Sequence, residues 1–295
     1  MSTLKHRLLK KQQEKKANWN MIELDHALSW VLAAIGSDPQ AKENLIFKGG
    51  TCLKKCYFGE HYRFSEDLDF SANPELTDPF LDNCLERVLY LATTLSDQMG
   101  AGIEYSAEPY LEKQAHPFNQ RAYILRAKFP WHRTPLTKIK LEISRDERLV
   151  YPTVEKSILH EYGEVLPQRI KAYALEEILT EKYRGILQNQ QRLKIKGWVR
   201  SRVRDFYDLW RILTQFKNEV KLVNFRSAFI TKCQHKGIEF EDPQQFFENQ
   251  NYLQQIKRDW DQFLEGLLEE LPSFEDTIAE LETLTWQVFR EPVYS

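Results

Sequence analysis

A short apolar run, Leu45-Ile46-Phe47, meets the helix-like segment CLKKCYFG through Lys48-Gly49-Gly50-Thr51, and no other feature constrains the fold as tightly. The order reads strand, glycine turn, helix. Adjacent glycines let backbone N–H groups approach a ligand closely, and the helix that follows turns the positive end of its dipole toward an anion. Downstream, RFSEDLDFSA (63–72) alternates Leu68 and Phe70 with Asp67 and Asp69. Side chains on a strand switch faces at every residue, so both aspartates point the same way and offer hard oxygen donors of the kind Mg²⁺ takes. Each half alone reads more readily as a loop glycine pair or a solvated strand edge, since short motifs match by chance. Their order and spacing point instead to a nucleotide–metal site.

Further strands are expected at 121–129 and 138–144. In KIKLEIS, Ile139, Leu141 and Ile143 face inward while Lys138, Lys140 and Glu142 face outward. Glu142 thus adds a third carboxylate, able to reach a second metal ion and help activate an attacking hydroxyl, or standing simply as an exposed acid among basic neighbours. Residues 20–35 read as a helix with one buried face, closed by Gly36 and Pro39, and residues 79–99 as another. From about Pro167 the chain is helical almost throughout, with Asp242 and Ser273 as N-cap signals. In ALEEILTEKYRGIL, Lys182 falls in line with the apolar stripe, where a lysine needs an anion or a carboxylate partner. Asp205 and Asp208, three apart at the start of RDFYDLW, share one side of a helix, as acids in a first turn ordinarily do.

Lys182 to Arg204 holds eight basic residues and no acidic one, interrupted by Gly197 and Trp198, and reads as a mobile loop suited to polynucleotide phosphates or as a solvated face. The whole chain is nearly neutral, with 41 Lys plus Arg against 43 Asp plus Glu, which excludes a uniformly basic nucleic-acid coat. That neutrality is a cancellation: residues 236–295 carry 14 acidic and 4 basic side chains, so the part that holds every candidate residue is net basic. Cys52, Cys56, Cys84 and Cys233 show neither a disulfide ladder nor a zinc-ribbon spacing, and the seven histidines show no metal-ligand spacing. The first twenty residues lack the apolar region of a secretory signal and no window is long and apolar enough for a membrane span, so a soluble cytoplasmic protein is expected.

Taken in order, FKGGTCLKK, RFSEDLDF, KLEIS, LEEILTEKYRGIL and RDFYDLW resemble the AbiEii/AbiGii-type nucleotidyltransferases, toxins of type IV toxin–antitoxin and abortive-infection systems, and the related mycobacterial MenT toxins. The resemblance spans about residues 44–213. It implies an α+β fold with a DNA polymerase β-like nucleotidyltransferase core at 1–165, and a helical C-terminal lobe at 166–295 that completes the nucleotide pocket. It further implies an NTP substrate, Mg²⁺ or Mn²⁺, and release of pyrophosphate. Lys48, Gly49, Gly50 and Thr51 would cradle the phosphates, flanked by Arg63 and Ser65. Asp67, Asp69 and Glu142 would hold metal, Lys182 would contact a phosphate, and Asp205 with Asp208 would complete the pocket. The expected acceptor is RNA such as the tRNA acceptor end, with a small molecule or a protein as the alternative acceptor and a non-catalytic nucleotide- or partner-binding module as the alternative to an enzyme. A cognate antitoxin is expected at the gene or functional level rather than as a stable complex, and no membrane partner.

Overall fold

The computed structural model describes residues 3–110 and 120–290. The chain divides into two compact units, one of residues 1–147 and 153–172, the other of 148–152 and 173–295.

The first unit is built on a seven-stranded mixed sheet. Its strands are β1 (Leu45–Lys48), β2 (Asp67–Ala72), β3 (Glu104–Pro109), β4 (Gln120–Lys128), β5 (Thr137–Ser144), β6 (Val154–Ser157) and β7 (Arg169–Ala172). Their order across the sheet is β3-β4-β5-β2-β1-β7-β6. The centre pairs β1 antiparallel to β2 and β2 parallel to β5. The segment 63–66, read as the start of a strand, lies outside it, because Arg63 and Ser65 turn back toward Gly50. β3, β6 and β7 carry no clear alternation in the sequence. They lie at or near the two margins of the sheet, where a strand pairs on one side only or packs little apolar surface.

Helices α1 (Leu4–Lys15), α2 (Trp19–Ser37), α3 (Pro39–Asn44), α4 (Gly49–Leu53) and α5 (Asp78–Gln98) complete this unit. After α4 the chain widens into a π turn at Lys54–Phe58 and then tightens through a 3₁₀ turn at Gly59–His61. Asp38 closes the gap between α2 and α3: its carboxylate accepts from the Ala41 N–H (2.7 Å), and Pro39 opens the next helix, where its missing N–H costs nothing.

The one-sided burial expected of α2 is not what forms. Every residue from Ile22 to Ile35 is buried, because α1, α3, α5, β5 and β7 all pack against this helix. Its acidic positions survive because Glu23 and Asp25 each find partners far off in sequence. Glu23 accepts from Trp131 Nε1 (2.6 Å) and lies 3.0 Å from His132 Nε2. Asp25 meets Lys55 Nζ (2.7 Å) and the Tyr162 hydroxyl (2.8 Å). Buried charge is tolerated where it is paired in this way.

The second unit contains α6 (Leu175–Lys196), α7 (Val203–Gln215), α8 (Phe225–His235), α9 (Gln250–Leu264) and α10 (Phe274–Val288). α7 packs against α6, α9 and α10. Tyr183 anchors an aromatic core with Phe225, Phe229, Phe246 and Phe289, its hydroxyl 2.8 Å from Thr285 Oγ1. Ser273 and Asn249 cap α10 and α9, and Asp242 caps a 3₁₀ turn at 243–246 rather than a long helix. The basic run is likewise revised. Residues 182–196 continue α6, whose Lys, Arg and Gln side chains favour helix, and only Gly197, at φ +73°, ends it.

Candidate functional site

At the end of β1 the chain must turn sharply into α4, and Gly49 does so at φ +80°, a conformation L side chains rarely adopt. Space makes the same demand: a Cβ on Gly49 would lie 2.5 Å from Asp69 Oδ2, and one on Gly50 would strike Arg63 Nη2. The two glycines therefore bring the turn's backbone against the Asp69 carboxylate and the Arg63 guanidinium. Lys48 is the N-cap residue of α4 but makes no side-chain cap, so its side chain covers none of the N–H groups of the first turn. Thr51, buried at the base of the turn, hydrogen-bonds Ser65 Oγ (2.8 Å) and the Asp67 carbonyl, tying turn to strand. Arg63 is also buried and donates to the Phe64 carbonyl (3.2 Å).

Register does the rest. Lys48 on β1, Asp69 on β2 and Glu142 on β5 are direct cross-strand neighbours, forming one row over three adjacent strands about 4.8 Å apart. Asp67 lies two residues back on the same face, opposite Lys140. Three carboxylates and two ammonium groups thus share a patch of sheet, on the opposite face from Leu68 and Phe70. The cations are already engaged: Lys140 Nζ is 2.5 Å from Glu142 Oε1, and Lys48 Nζ is 3.9 Å from Glu147 Oε1. Partial burial works to lower the Lys140 ammonium, but Glu142 and Asp67 outweigh it and hold the group above its ordinary value. Sequence reasoning treated Lys140 only as a neighbour and missed Glu147; their alternation and position mark them as polar, but only the register shows which acid each one meets.

The second unit brings Lys182, Asp205 and Asp208 together. Lys182 Nζ lies 2.9 Å from Asp205 Oδ1 and 2.7 Å from Asp208 Oδ2, and Arg202 Nη1 is 3.1 Å from Asp205 Oδ2. Asp208 is fully buried and Lys182 nearly so. Burial works to raise the Asp205 carboxyl, yet Lys182 and Arg202 prevail and hold it below the usual carboxylate value. The inward lysine and the acidic helix start, read separately from the sequence, are one cluster.

The histidines do have an arrangement that their spacing conceals. His26, His160 and Glu164 bring one nitrogen or oxygen atom each within 4.8 Å of one another, in the first unit and sharing no residue with the acid row. Burial pushes the His26 imidazole down to about 4. The four cysteines are buried and unbridged. Among the described residues no helix is long and apolar enough to cross a membrane.

The family model for nucleotidyl transferase AbiEii toxins of the type IV toxin–antitoxin system matches residues 30–280. Among solved structures, MenT4, a nucleotidyltransferase toxin of Mycobacterium tuberculosis H37Rv, shares the fold at 20% identity, with a TM-score of 0.51 over 92% of this chain and 83% of that one. No curated protein sequence matches the chain.

Proposed function

The chain belongs to the AbiEii family of nucleotidyltransferase toxins of type IV toxin–antitoxin systems, and from that premise we propose that it transfers an NMP from an NTP to an acceptor hydroxyl on RNA, using a divalent metal held by Asp67, Asp69 and Glu142. The observation that carries this reading is the in-register pair Asp69–Glu142, with Asp67 beside it, next to a glycine turn that only a residue without a Cβ can make.

The donor set suits Mg²⁺ or Mn²⁺: it is all carboxylate oxygen, on adjacent strands, and partly exposed. A bound ion of this kind supplies charge neutralisation at the phosphates and lowers the pKa of an attacking hydroxyl. The protein's own part is positional. Backbone N–H groups of Gly49, Gly50 and Thr51 would receive phosphate oxygens, with the Arg63 guanidinium behind the turn adding positive charge. In the reaction the acceptor oxygen bonds to the α-phosphorus, the bond from that phosphorus to the bridging oxygen breaks, and pyrophosphate leaves with the electron pair. We assign to Glu142 the task of taking the hydroxyl proton, its carboxylate oriented by the Lys140 ammonium 2.5 Å from Oε1. Lys182, steadied by Asp205 and Asp208, is assigned to a phosphate of the nucleotide.

RNA is favoured over a small acceptor by the basic run along α6 and the segment after it. Between its cations stand two large apolar side chains facing solvent, Ile195 at 82% and Trp198 at 69% exposure. Cationic surface interleaved with an exposed aromatic ring suits a phosphate backbone with unpaired bases to stack. The tRNA acceptor end is the acceptor we propose, and an antitoxin gene beside this one the biological setting. The test incubates purified protein with each α-labelled NTP, Mg²⁺ and total RNA, then separates RNA, protein and small-molecule fractions. Label in RNA supports the reading. Label confined to another fraction refutes the acceptor, and absence of transfer with every NTP refutes the activity.

A further inference from the structure

Away from the acid row, a second polar centre lies inside the first unit. His26 comes from the middle of α2, while His160 and Glu164 come from the segment that follows β6, more than a hundred residues later. Their side chains are 0%, 2% and 3% exposed. One carboxylate serves both rings: Glu164 Oε1 is 3.4 Å from His26 Nε2, Glu164 Oε2 is 3.0 Å from His160 Nε2, and the two imidazole centroids are 5.3 Å apart. Two ligands on a tetrahedral ion with bonds of about 2.0–2.1 Å stand about 3.3 Å from each other, and each imidazole lies near that distance from one oxygen of the Glu164 carboxylate.

Hydrogen bonds do not exhaust the set. His26 Nδ1 and His160 Nδ1 are both buried, with no hydrogen-bond partner among the described residues. A neutral imidazole carries one proton, so each ring has either a bare nitrogen or an unmet N–H in the interior. At His26 the Trp30 Nε1–H lies 3.5 Å from Nε2, at the limit of a hydrogen bond. Glu164 Oε1 beside that nitrogen is met either by an N–H on it or by a cation shared between the two. The surrounding shell is built to orient the acid: Arg7 donates to Glu164 Oε1 (2.5 Å) and to the Tyr162 carbonyl (2.8 Å). Arg7 is also an opposing charge, but it is 30% exposed and therefore partly screened by water.

We propose that His26, His160 and Glu164 bind one divalent transition-metal ion, Zn²⁺ or a chemically similar ion, as a stabilising centre joining α1, α2 and the 158–164 segment. Two imidazoles and a carboxylate select a borderline transition ion, whereas the all-oxygen acid row suits Mg²⁺. The two sites are therefore separable by the metal used. Burial makes the role structural: such a centre fastens the N-terminal helices to a distant segment and exchanges its ion slowly.

The test uses the full chain carrying Asp67→Asn and Asp69→Asn, which removes the acid row as a competing site. After chelator stripping it is titrated with Zn²⁺, Co²⁺ and Mg²⁺, and thermal unfolding is followed. One equivalent of Zn²⁺ should bind and raise Tm, Co²⁺ should develop the visible absorption of a four- or five-coordinate site, and Mg²⁺ should do neither. Adding His160→Ala or Glu164→Gln should weaken Zn²⁺ binding by about 100-fold, as loss of one ligand from a small set does. Because those variants can lose their fold, X-ray absorption of the Zn²⁺-loaded parent gives a second readout, expected to show two imidazole nitrogens. Less than one equivalent bound, an all-oxygen shell, or binding untouched in folded His160→Ala protein would overturn the proposal and leave a hydrogen-bonded cluster.

Discussion

The acid row of the first unit and the lysine cluster of the second are made from the same side-chain types, yet they differ in burial. On the sheet, Asp67, Asp69 and Glu142 share a face with the Lys140 and Lys48 ammonium groups, Lys48 also lies near Glu147, and the Arg63 guanidinium stands against the adjoining turn. In the helical unit, Asp205 and Asp208 are matched by Lys182 and Arg202. The first lies at a partly exposed surface. The second pairs its charges in the interior. Carboxylates in reach of solvent can recruit a cation, whereas ion-paired acids in the interior are held as they stand. On the proposed reading the row does the chemistry and the lysine cluster holds a side chain steady.

The largest effect should come from removing a carboxylate of the row. Asp69→Asn keeps the shape and removes one charge from the row, and should lower nucleotidyl transfer by about 10³-fold, the size of a lost metal contact of several kcal/mol. Its Tm should move by only a few degrees. Transfer within about threefold of wild type would remove the row from the mechanism.

Breaking the ion-paired cluster should appear first in stability. Lys182→Met leaves Asp208 buried beside Asp205 without its cation and should cost about 3–5 kcal/mol in denaturant unfolding. Adding Asp208→Asn should recover part of that loss. A cost under about 1 kcal/mol would mean that the cluster does not depend on its pairing.

The glycine turn gives the next, smaller effect. Gly49→Ala faces about 1–2 kcal/mol of left-handed strain and pushes on the Asp69 carboxylate. Transfer should fall by roughly 10–100-fold, since small misplacements of reacting groups are costly. If steady-state rates are unchanged, Asp69 is not held by this contact.

The smallest effect is on pH. The Asp205 carboxyl is depressed in the folded protein, so its contribution to stability is complete above its unfolded value near 3.8 and disappears as pH falls through the lower folded value. Asp205→Asn should flatten the acid limb of a stability–pH profile in that window and leave the neutral region parallel to wild type. Identical acid limbs would show that Asp205 titrates normally.

Much of the acid row is legible in the chain. Alternation in DLDFSA and KIKLEIS assigns faces, and Gly49-Gly50 marks the turn, because these signals are local. What the sequence withholds is register: nothing in 67–72 or 138–144 says that Asp69 pairs with Glu142 and Asp67 with Lys140. The same limit hid α2, whose apolar stripe was visible while the burial of Glu23, Asp25 and His26 depended on Trp131, Lys55 and Glu164. It hid the His26–His160–Glu164 centre altogether, since only the last two are close in sequence. The basic run divides between two states: its residue types favour helix as far as Lys196, and the loop marked by Gly197 and Trp198 is confined to 197–202.

The most direct measurement of the central claim is transfer of α-labelled NTP to RNA by the wild-type protein as Mg²⁺ is titrated from a chelated baseline. The account expects no label at the baseline, transfer that rises with Mg²⁺, and no rise when Asp67 and Asp69 are both replaced by Asn. Label transferred equally at the baseline, or equally by the double variant, would contradict it.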